Sequence, residues 1–159
     1  MNENYTCCFI GHRAVYETEQ LKSQLWEIIE KLIVEKNVDT FLFGSKSRFN
    51  SICHHIVTKI KEKYPHIKRV YVRAEYQYID ENYKKYLLQD YEDTYYPEKI
   101  SDSGKLAYIK RNYEMINNSY FCVMYYDEQI AQLYRKSGTE IALDYAIKQG
   151  KEIINVTEL

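Results

Sequence analysis

The chain of 159 residues has the length of one domain with a single sizeable core, and no Pro/Gly/Ser-rich linker or repeat divides it. We therefore expect residues 1–159 to form a single domain. With 22 Lys and Arg against 23 Asp and Glu, the net charge of -1 argues against direct nucleic-acid binding and against an anionic membrane, although local basic spots can still hold a small anion. The sequence has no secretory leader pattern and no run of roughly 18 apolar residues, which predicts a cytoplasmic protein without a membrane partner.

The cysteines indicate neither a disulfide framework nor a metal centre. Cys7, Cys8, Cys53 and Cys122 lie in apolar surroundings, so we interpret them as reduced core residues. Cys7 and Cys8 are adjacent on a predicted strand and point to opposite faces, and adding Cys53-His54-His55 produces no zinc spacing. We predict no metal and no cofactor.

The first part of the chain alternates strand and helix. Residues 5–10 form a short apolar run that ends in Gly11-His12-Arg13, a pattern typical of a central strand entering a tight, cationic loop. Residues 18–36 carry apolar side chains at the spacing of one helical face. A second apolar strand is predicted at Thr40–Phe43, and it is broken by a polar loop that begins Gly44-Ser45.

A second helix and a third strand follow. Ile52, Ile56 and Ile60 keep helical spacing, and Asn50 or Ser51 is the predicted N-cap. The run 67–72 then predicts the third strand.

Segment 73–102 departs from this alternation. It is Tyr-rich and charged, with a short helix predicted near 80–88, and 13 of the 18 tyrosines lie between Tyr71 and Tyr126. We interpret the segment as an excursion that forms either a lid or wall of a site or a simple surface elaboration. Tyrosine rings suit a core, an oligomer interface or a nucleotide base equally well.

A basic, Gly-containing loop leads into the last helix. Ser137 or Thr139 can cap its N-terminus, and Gly150 supplies its C-terminal stop. The unpaired N–H groups of a helix start, next to Arg135 and Lys136, are suited to hold a phosphate. The alternative is an ordinary capped helix with a solvated basic turn.

Together the pattern predicts an α/β fold. A helix at 103–118 leads into a fourth strand at 121–126, and a fifth strand at 153–156 follows the last helix. Alternating elements imply a parallel sheet of about five strands with helices on both faces and the strand order 3-2-1-4-5. Ligands of such sheets bind beyond the carboxyl ends of the strands, where the order reverses, so three polar glycine loops meet there and favour a nucleotide-type ligand.

Three groups of residues resemble one known superfamily: Cys8-Phe9-Ile10-Gly11-His12-Arg13, Arg111-Asn112 with Met115 and Ser119, and Ser137-Gly138-Thr139 followed by Tyr145-Ala146. Over nearly its whole length the chain is similar to the SLOG superfamily, related to Smf/DprA and LOG-like proteins, and within it to the YpsA-like branch. The resemblance implies a Rossmann-like fold and a pocket for a nucleotide or nucleotide derivative such as an ADP-ribose or NAD relative. Some branches are sensors in signalling or anti-phage systems, whereas the LOG-like branch cleaves a nucleotide N-glycosidic bond.

One departure from the LOG-like pattern bears on catalysis. Where those enzymes have Pro-Gly-Gly-x-Gly-Thr-x-x-Glu, residues 134–142 of this chain place Ala142 at the position of the glutamate. Hydrolysis of an N-glycosidic bond needs a carboxylate near the reacting centre, so this loss counts against that chemistry. Glu75, Glu140 and Asp127 are the candidate carboxylates for an enzyme, by position alone.

The sequence therefore predicts a nucleotide-ligand-binding protein that serves as a sensor or sequestering module, with a homo-oligomer as a possible state. The alternatives are an N-glycosidase or transferase of LOG-like type and an oligomeric interaction protein without a ligand. His12 alternatively hydrogen-bonds within its own loop, and Arg111 alternatively has a structural role. The predicted ligand-binding residues are Gly11, His12, Arg13, Gly44, Ser45, Arg111, Asn112, Asp127, Arg135, Ser137, Gly138 and Thr139.

Overall fold

The computed structural model describes residues 1–44, 46–98, 100, 104–133 and 137–159. The strands are β1 (Thr6–Gly11), β2 (Thr40–Phe43), β3 (Lys68–Val72), β4 (Asp93–Tyr95), β5 (Phe121–Tyr125) and β6 (Glu152–Asn155). The helices are α1 (Glu19–Lys36), α2 (Arg48–Lys61), α3 (Glu81–Leu87), α4 (Lys105–Asn117), α5 (Glu128–Ala131) and α6 (Gly138–Lys148), with short 3₁₀ helices at Glu3–Tyr5 and Val156–Glu158.

The strands form one parallel sheet in the order β4-β3-β2-β1-β5-β6. The predicted α/β class and the order of the five long strands are confirmed, but the predicted number of about five is wrong because the excursion adds β4 at the sheet edge. This strand has three residues and no alternating apolar pattern. Contacts with β3 hold it in place, since the N–H of Arg73 donates to the Tyr95 carbonyl at 2.9 Å and the N–H of Glu92 donates to the Arg69 carbonyl at 2.8 Å.

The two faces of the sheet bury different sets of side chains. Successive residues of a strand point to opposite faces, so Cys7 and Phe9 pack among the helices α1 and α2 while Cys8 and Ile10 pack among α4 and α6. The four cysteines are free and buried. The predicted placement of helices on both faces is confirmed.

Side-chain caps fix where the helices begin. Thr18 caps α1 by accepting from the Leu21 N–H, and Asp80 caps α3 by accepting from the Tyr83 N–H. The predicted cap of α2 is wrong, because the helix starts earlier and Ser47 accepts from the Asn50 N–H at 3.1 Å. Asn50 is instead a buried residue whose side chain joins the loop after β2 to β1.

Among the described residues, no helix is both long enough and apolar enough to cross a membrane. Within the same ranges, no three or more His, Cys, Asp or Glu side chains converge in a way that could hold a metal ion.

Candidate functional site

The loop after β1 is tied to the loop after β5 through His12. The His12 N–H donates to the Tyr125 carbonyl at 3.3 Å, and the His12 Nε2 accepts from the Asp127 N–H at 2.9 Å. An imidazole nitrogen that accepts a hydrogen bond carries no proton, and burial lowers the pKa of His12. His12 is therefore a neutral side chain that fixes two loops, and the hydrogen bond reaches the neighbouring loop rather than its own.

The loop after β2 is tied to β1 through Asn50. The Gly44 N–H donates to the Asn50 Oδ1 at 3.3 Å, and the Asn50 Nδ2 donates to the Phe9 carbonyl at 3.0 Å. Asn50 is 3% exposed, so these bonds satisfy a buried amide that would otherwise destabilise the fold. The amide positions the ends of β1 and β2 relative to each other.

Arg111 is a buried cation beneath the loop after β2. It is 3% exposed, donates from Nη1 to the Gly44 carbonyl, and donates from Nε to the Asn112 Oδ1 at 3.1 Å. Burial lowers the pKa of Arg111 to about 10, while Tyr71 and Glu75 act in the opposite direction. The guanidinium therefore remains charged at neutral pH and is held in one orientation.

The Arg111 charge is also supported by an aromatic side chain. The Arg111 Cζ lies 5.5 Å from the centre of the Tyr108 ring, within the range of a cation–π interaction. The Tyr108 hydroxyl donates to a carboxylate oxygen of Glu75. Glu75, a predicted candidate carboxylate, thus lies within this network beside the buried cation.

Three exposed cations lie at the same edge of the sheet. Arg13 follows β1, and Lys46 and Arg48 follow β2. The Arg48 N–H donates to the Arg13 carbonyl at 3.0 Å, which places the two loops side by side. Arg48 forms an ion pair with Glu17 at 3.3 Å. Lys46 and Arg48 were missed as candidates, although both follow the predicted Gly44-Ser45 directly in the sequence.

The start of α6 is a capped helix. The Ser137 Oγ accepts from the Glu140 N–H at 3.1 Å, and Thr139 is buried. Helix α6 packs against β5. Burial, and after it the Glu140 carboxylate, raise the pKa of Tyr126 just after that strand. A Cβ added to Gly138 would meet no heavy atom within 4 Å.

Ten of the twelve predicted site residues lie in the described part of the chain, and they fall into three groups. The structure joins His12 to Asp127 and joins Gly44 to Arg111 and Asn112, while Gly11 and Arg13 lie at the end of β1 beside them. Asp127 also caps α5 by accepting from the Gln129 N–H at 2.9 Å. Ser137, Gly138 and Thr139 form the start of α6. The predicted Ser45 and Arg135 lie outside the described residues.

Comparison with known proteins identifies relatives in fold. No protein-family model matches the chain, and no curated protein matches it. The X-ray structure of DNA processing protein A (DprA) from Streptococcus pneumoniae has a TM-score of 0.62 and 14% identity over 93% of this chain and 48% of that chain. DprA from Helicobacter pylori, solved in a study of its single-stranded DNA binding mode, has a TM-score of 0.60 and 16% identity over 95% of this chain and 64% of that chain.

This similarity is a similarity of fold, and the chain spans less than two thirds of either DprA protein. The two neighbours support the predicted Rossmann-like α/β fold, whereas the resemblance to the SLOG superfamily stays a prediction from the sequence. The two neighbours do not identify the YpsA-like branch.

The predicted function is contradicted by these neighbours. The sequence predicted a nucleotide-ligand sensor, with a LOG-like glycosidase or a ligand-free interaction protein as alternatives, and excluded direct nucleic-acid binding. The neighbours are DNA processing proteins, and the one from Helicobacter pylori binds single-stranded DNA. The prediction of no direct nucleic-acid binding was wrong for a physical reason. It relied on the net charge of the whole chain, which does not show whether cations are gathered at one edge of the fold.

Proposed function

We propose that this chain binds single-stranded DNA along the carboxyl edge of its sheet, with residues 1–159 acting as one domain. The observation that carries the proposal is the convergence of Arg13, Lys46 and Arg111 from three separate elements at that edge. The single-stranded DNA binding of the fold neighbour from Helicobacter pylori supports it. The YpsA-like branch and the cytoplasmic location stay predictions from the sequence.

The three cations suit a flexible phosphate chain in complementary ways. Arg13 and Lys46 are exposed, so their side chains can follow phosphates whose positions vary along a strand. Arg111 is fixed by its bonds to Gly44 and Asn112. Because Arg111 is buried, its charge attracts a phosphate at a fixed position of the edge without direct contact, and so favours one register of the strand.

The proposal is tested with a fluorescein-labelled oligothymidylate and fluorescence anisotropy at a series of salt concentrations. For a single strand the slope of log K against log salt is about -0.7 per phosphate contact, so contacts with the exposed Arg13 and Lys46 predict a slope of about -1.4. The double variant Arg13→Glu, Lys46→Glu removes both contacts. We expect its slope to become shallower by about 1.4 and its affinity at low salt to fall.

The matched control is the double variant Lys31→Glu, Lys36→Glu. It makes the same change in net charge at two exposed lysines near the C-terminal end of α1, at the opposite edge of the sheet. The control should keep a slope close to that of the wild type. The proposal fails if the wild type does not bind the oligonucleotide at low salt, or if both double variants weaken binding equally.

A further inference from the structure

An exposed cluster of tyrosine rings lies next to the cation edge, in the excursion that follows β3. We call Tyr76, Tyr83 and Tyr86 the tyrosine array. The ring centres of Tyr76 and Tyr83 are 6.0 Å apart in an edge-to-face arrangement, and those of Tyr83 and Tyr86 are 6.2 Å apart with planes inclined by 25°. Tyr76 is 64% exposed and Tyr86 is 62% exposed. Tyr76 and Tyr86 thus present their rings to solvent, and the half-buried Tyr83 lies between them.

The array is held in place from below by Arg73. This arginine is 8% exposed and donates from Nε to the Tyr76 carbonyl at 3.2 Å and from Nη1 to the Thr94 Oγ1 at 2.9 Å. Tyr76 has a φ of 60°, a left-handed conformation that is uncommon for a bulky side chain. The Arg73 bond to its carbonyl supports that conformation, so the exposed ring is presented by an ordered turn.

The other end of the array is fixed by α3. Tyr83 and Tyr86 are three residues apart and share one face of the helix. Asp80 caps α3, with its Oδ1 accepting from the Tyr83 N–H at 2.7 Å. Rings that are held before binding lose little freedom when a flat partner stacks on them.

The array is continuous with the proposed phosphate-binding edge. Glu75 precedes Tyr76 and accepts the hydrogen bond from Tyr108, whose ring lies against Arg111. Burial raises the pKa of the half-buried Tyr71, and the charges of Arg111 and Lys46 and the Tyr83 hydroxyl also act on that pKa, so groups from both regions lie near this side chain. A strand whose phosphates lie on the cations therefore passes within reach of the rings.

We propose that the tyrosine array stacks unpaired bases of a single strand whose phosphates contact the exposed Arg13 and Lys46 above the buried Arg111. The inference rests on the proposed function, and it adds a subsite for bases to one for phosphates. Every base has an aromatic face, so the array binds bases of any sequence in single-stranded nucleic acid. Lys84 and Lys85 on α3 are exposed beside the rings, and the exposed acids Glu75, Asp80 and Glu81 lie on the same segment. The charge of this surface is therefore mixed, and the stacking rings carry the contact with the strand.

The test compares an intact oligothymidylate with an abasic strand of the same length, which keeps the phosphates and lacks the bases. Wild-type protein should bind the abasic strand more weakly, by about 5- to 150-fold for each stacked base. The double variant Tyr76→Ala, Tyr86→Ala should lose this preference while its salt slope stays at the wild-type value. The double variant Tyr76→Phe, Tyr86→Phe keeps the rings and should keep the preference.

Tyr120→Ala is the matched control, because this tyrosine is 41% exposed and precedes β5 at the opposite edge of the sheet. It should bind both strands as the wild type does. Equal affinity of the wild type for intact and abasic strands overturns the base subsite and leaves the phosphate site standing. A change of oligomeric state in the alanine variant with unchanged DNA binding also overturns it, and assigns the array to self-association. Absence of any DNA binding by the wild type refutes the proposed function and the subsite together.

Discussion

Two regions of this molecule use glycine in a polar loop for different physical reasons. At the ends of β1 and β2, Gly11 and Gly44 lie against protein side chains. A Cβ built on Gly11 would lie 2.5 Å from Phe49 Cδ2, and one built on Gly44 would lie 2.6 Å from Met115 Sδ. At the start of α6 a Cβ built on Gly138 meets no heavy atom within 4 Å. Glycine at the first two positions is thus a packing requirement.

The glycines at the ends of β1 and β2 have a different role at the site from the one that the sequence predicts. In the sequence all three resemble loops whose backbone closely approaches a ligand, and Gly138 is the most suggestive of them. In the structure the close approach at Gly11 and Gly44 is made by the protein itself. Those two glycines bring α2 and α4 against the strand ends, and so place Arg48 and Arg111 at the carboxyl edge.

The largest expected effect is the loss of stability in Gly11→Ala. The Phe49 ring is fully buried and the atoms nearest to the new methyl group are at the root of its side chain, so the ring cannot move aside easily. Overpacking of this kind lowers the free energy of unfolding by about 1 to 3 kcal/mol. At roughly 2 to 4 °C per kcal/mol, the melting temperature should fall by several degrees.

Gly138→Ala is the matched control for this variant. An alanine at the first turn of a helix reduces the entropy of the unfolded chain, so the variant should be as stable as the wild type or more stable by up to about 1 kcal/mol. If both alanine variants lower the melting temperature equally, the distinction between packed and open glycines is wrong.

A smaller effect is expected from Ser137→Ala at the open helix start. The variant removes the hydroxyl that accepts from the Glu140 N–H, and loss of an N-cap costs about 1 kcal/mol of stability. Ser137→Asp restores an acceptor and should recover the stability in a urea denaturation curve. Oligothymidylate affinity should be the same in all three proteins, because Ser137 acts as a cap. A large loss of affinity in Ser137→Ala would show that the open helix start also contacts the strand.

The smallest expected effect is the pH dependence of the free energy of unfolding that arises from His12. Burial lowers the pKa of His12 in the folded protein below its ordinary value of about 6.5 in the unfolded chain. The unfolded chain therefore takes up a proton first, and stability is full above about pH 6.5 and falls as the pH is lowered through the folded pKa. Urea denaturation of the wild type between about pH 7.5 and 5.5 should show this decline.

His12→Gln should flatten that decline, since its side chain can accept from the Asp127 N–H and does not titrate. His54 contributes a decline of the same sign, because burial also lowers its pKa. His54→Gln is thus the companion variant, and the double variant should show the flattest profile. A wild-type profile that is already flat over this range would contradict the assignment of His12 as a neutral acceptor.

The sequence by itself determined the regular part of this fold. Apolar spacing in α1 and the continuous apolar runs of β1 and β5 are local signals, and Thr18 and Gly150 mark helix ends by their own chemistry. Such signals depend on neighbours a few residues away. These signals were sufficient to predict the order of the five long strands, and to predict that Gly11, Gly44 and Ser137 lie at one edge of the sheet.

Tertiary structure decided the features that depend on contacts between distant residues. β4 exists because β3 offers it hydrogen-bonding partners, and its own three residues carry no pattern. Gly11 faces protein because the Phe49 ring of α2 packs against it, whereas none of the described side chains packs against Gly138. The cation edge likewise arises when loops far apart in the sequence meet around Arg111, whereas the net charge of -1 sums over all residues and is the same wherever they lie.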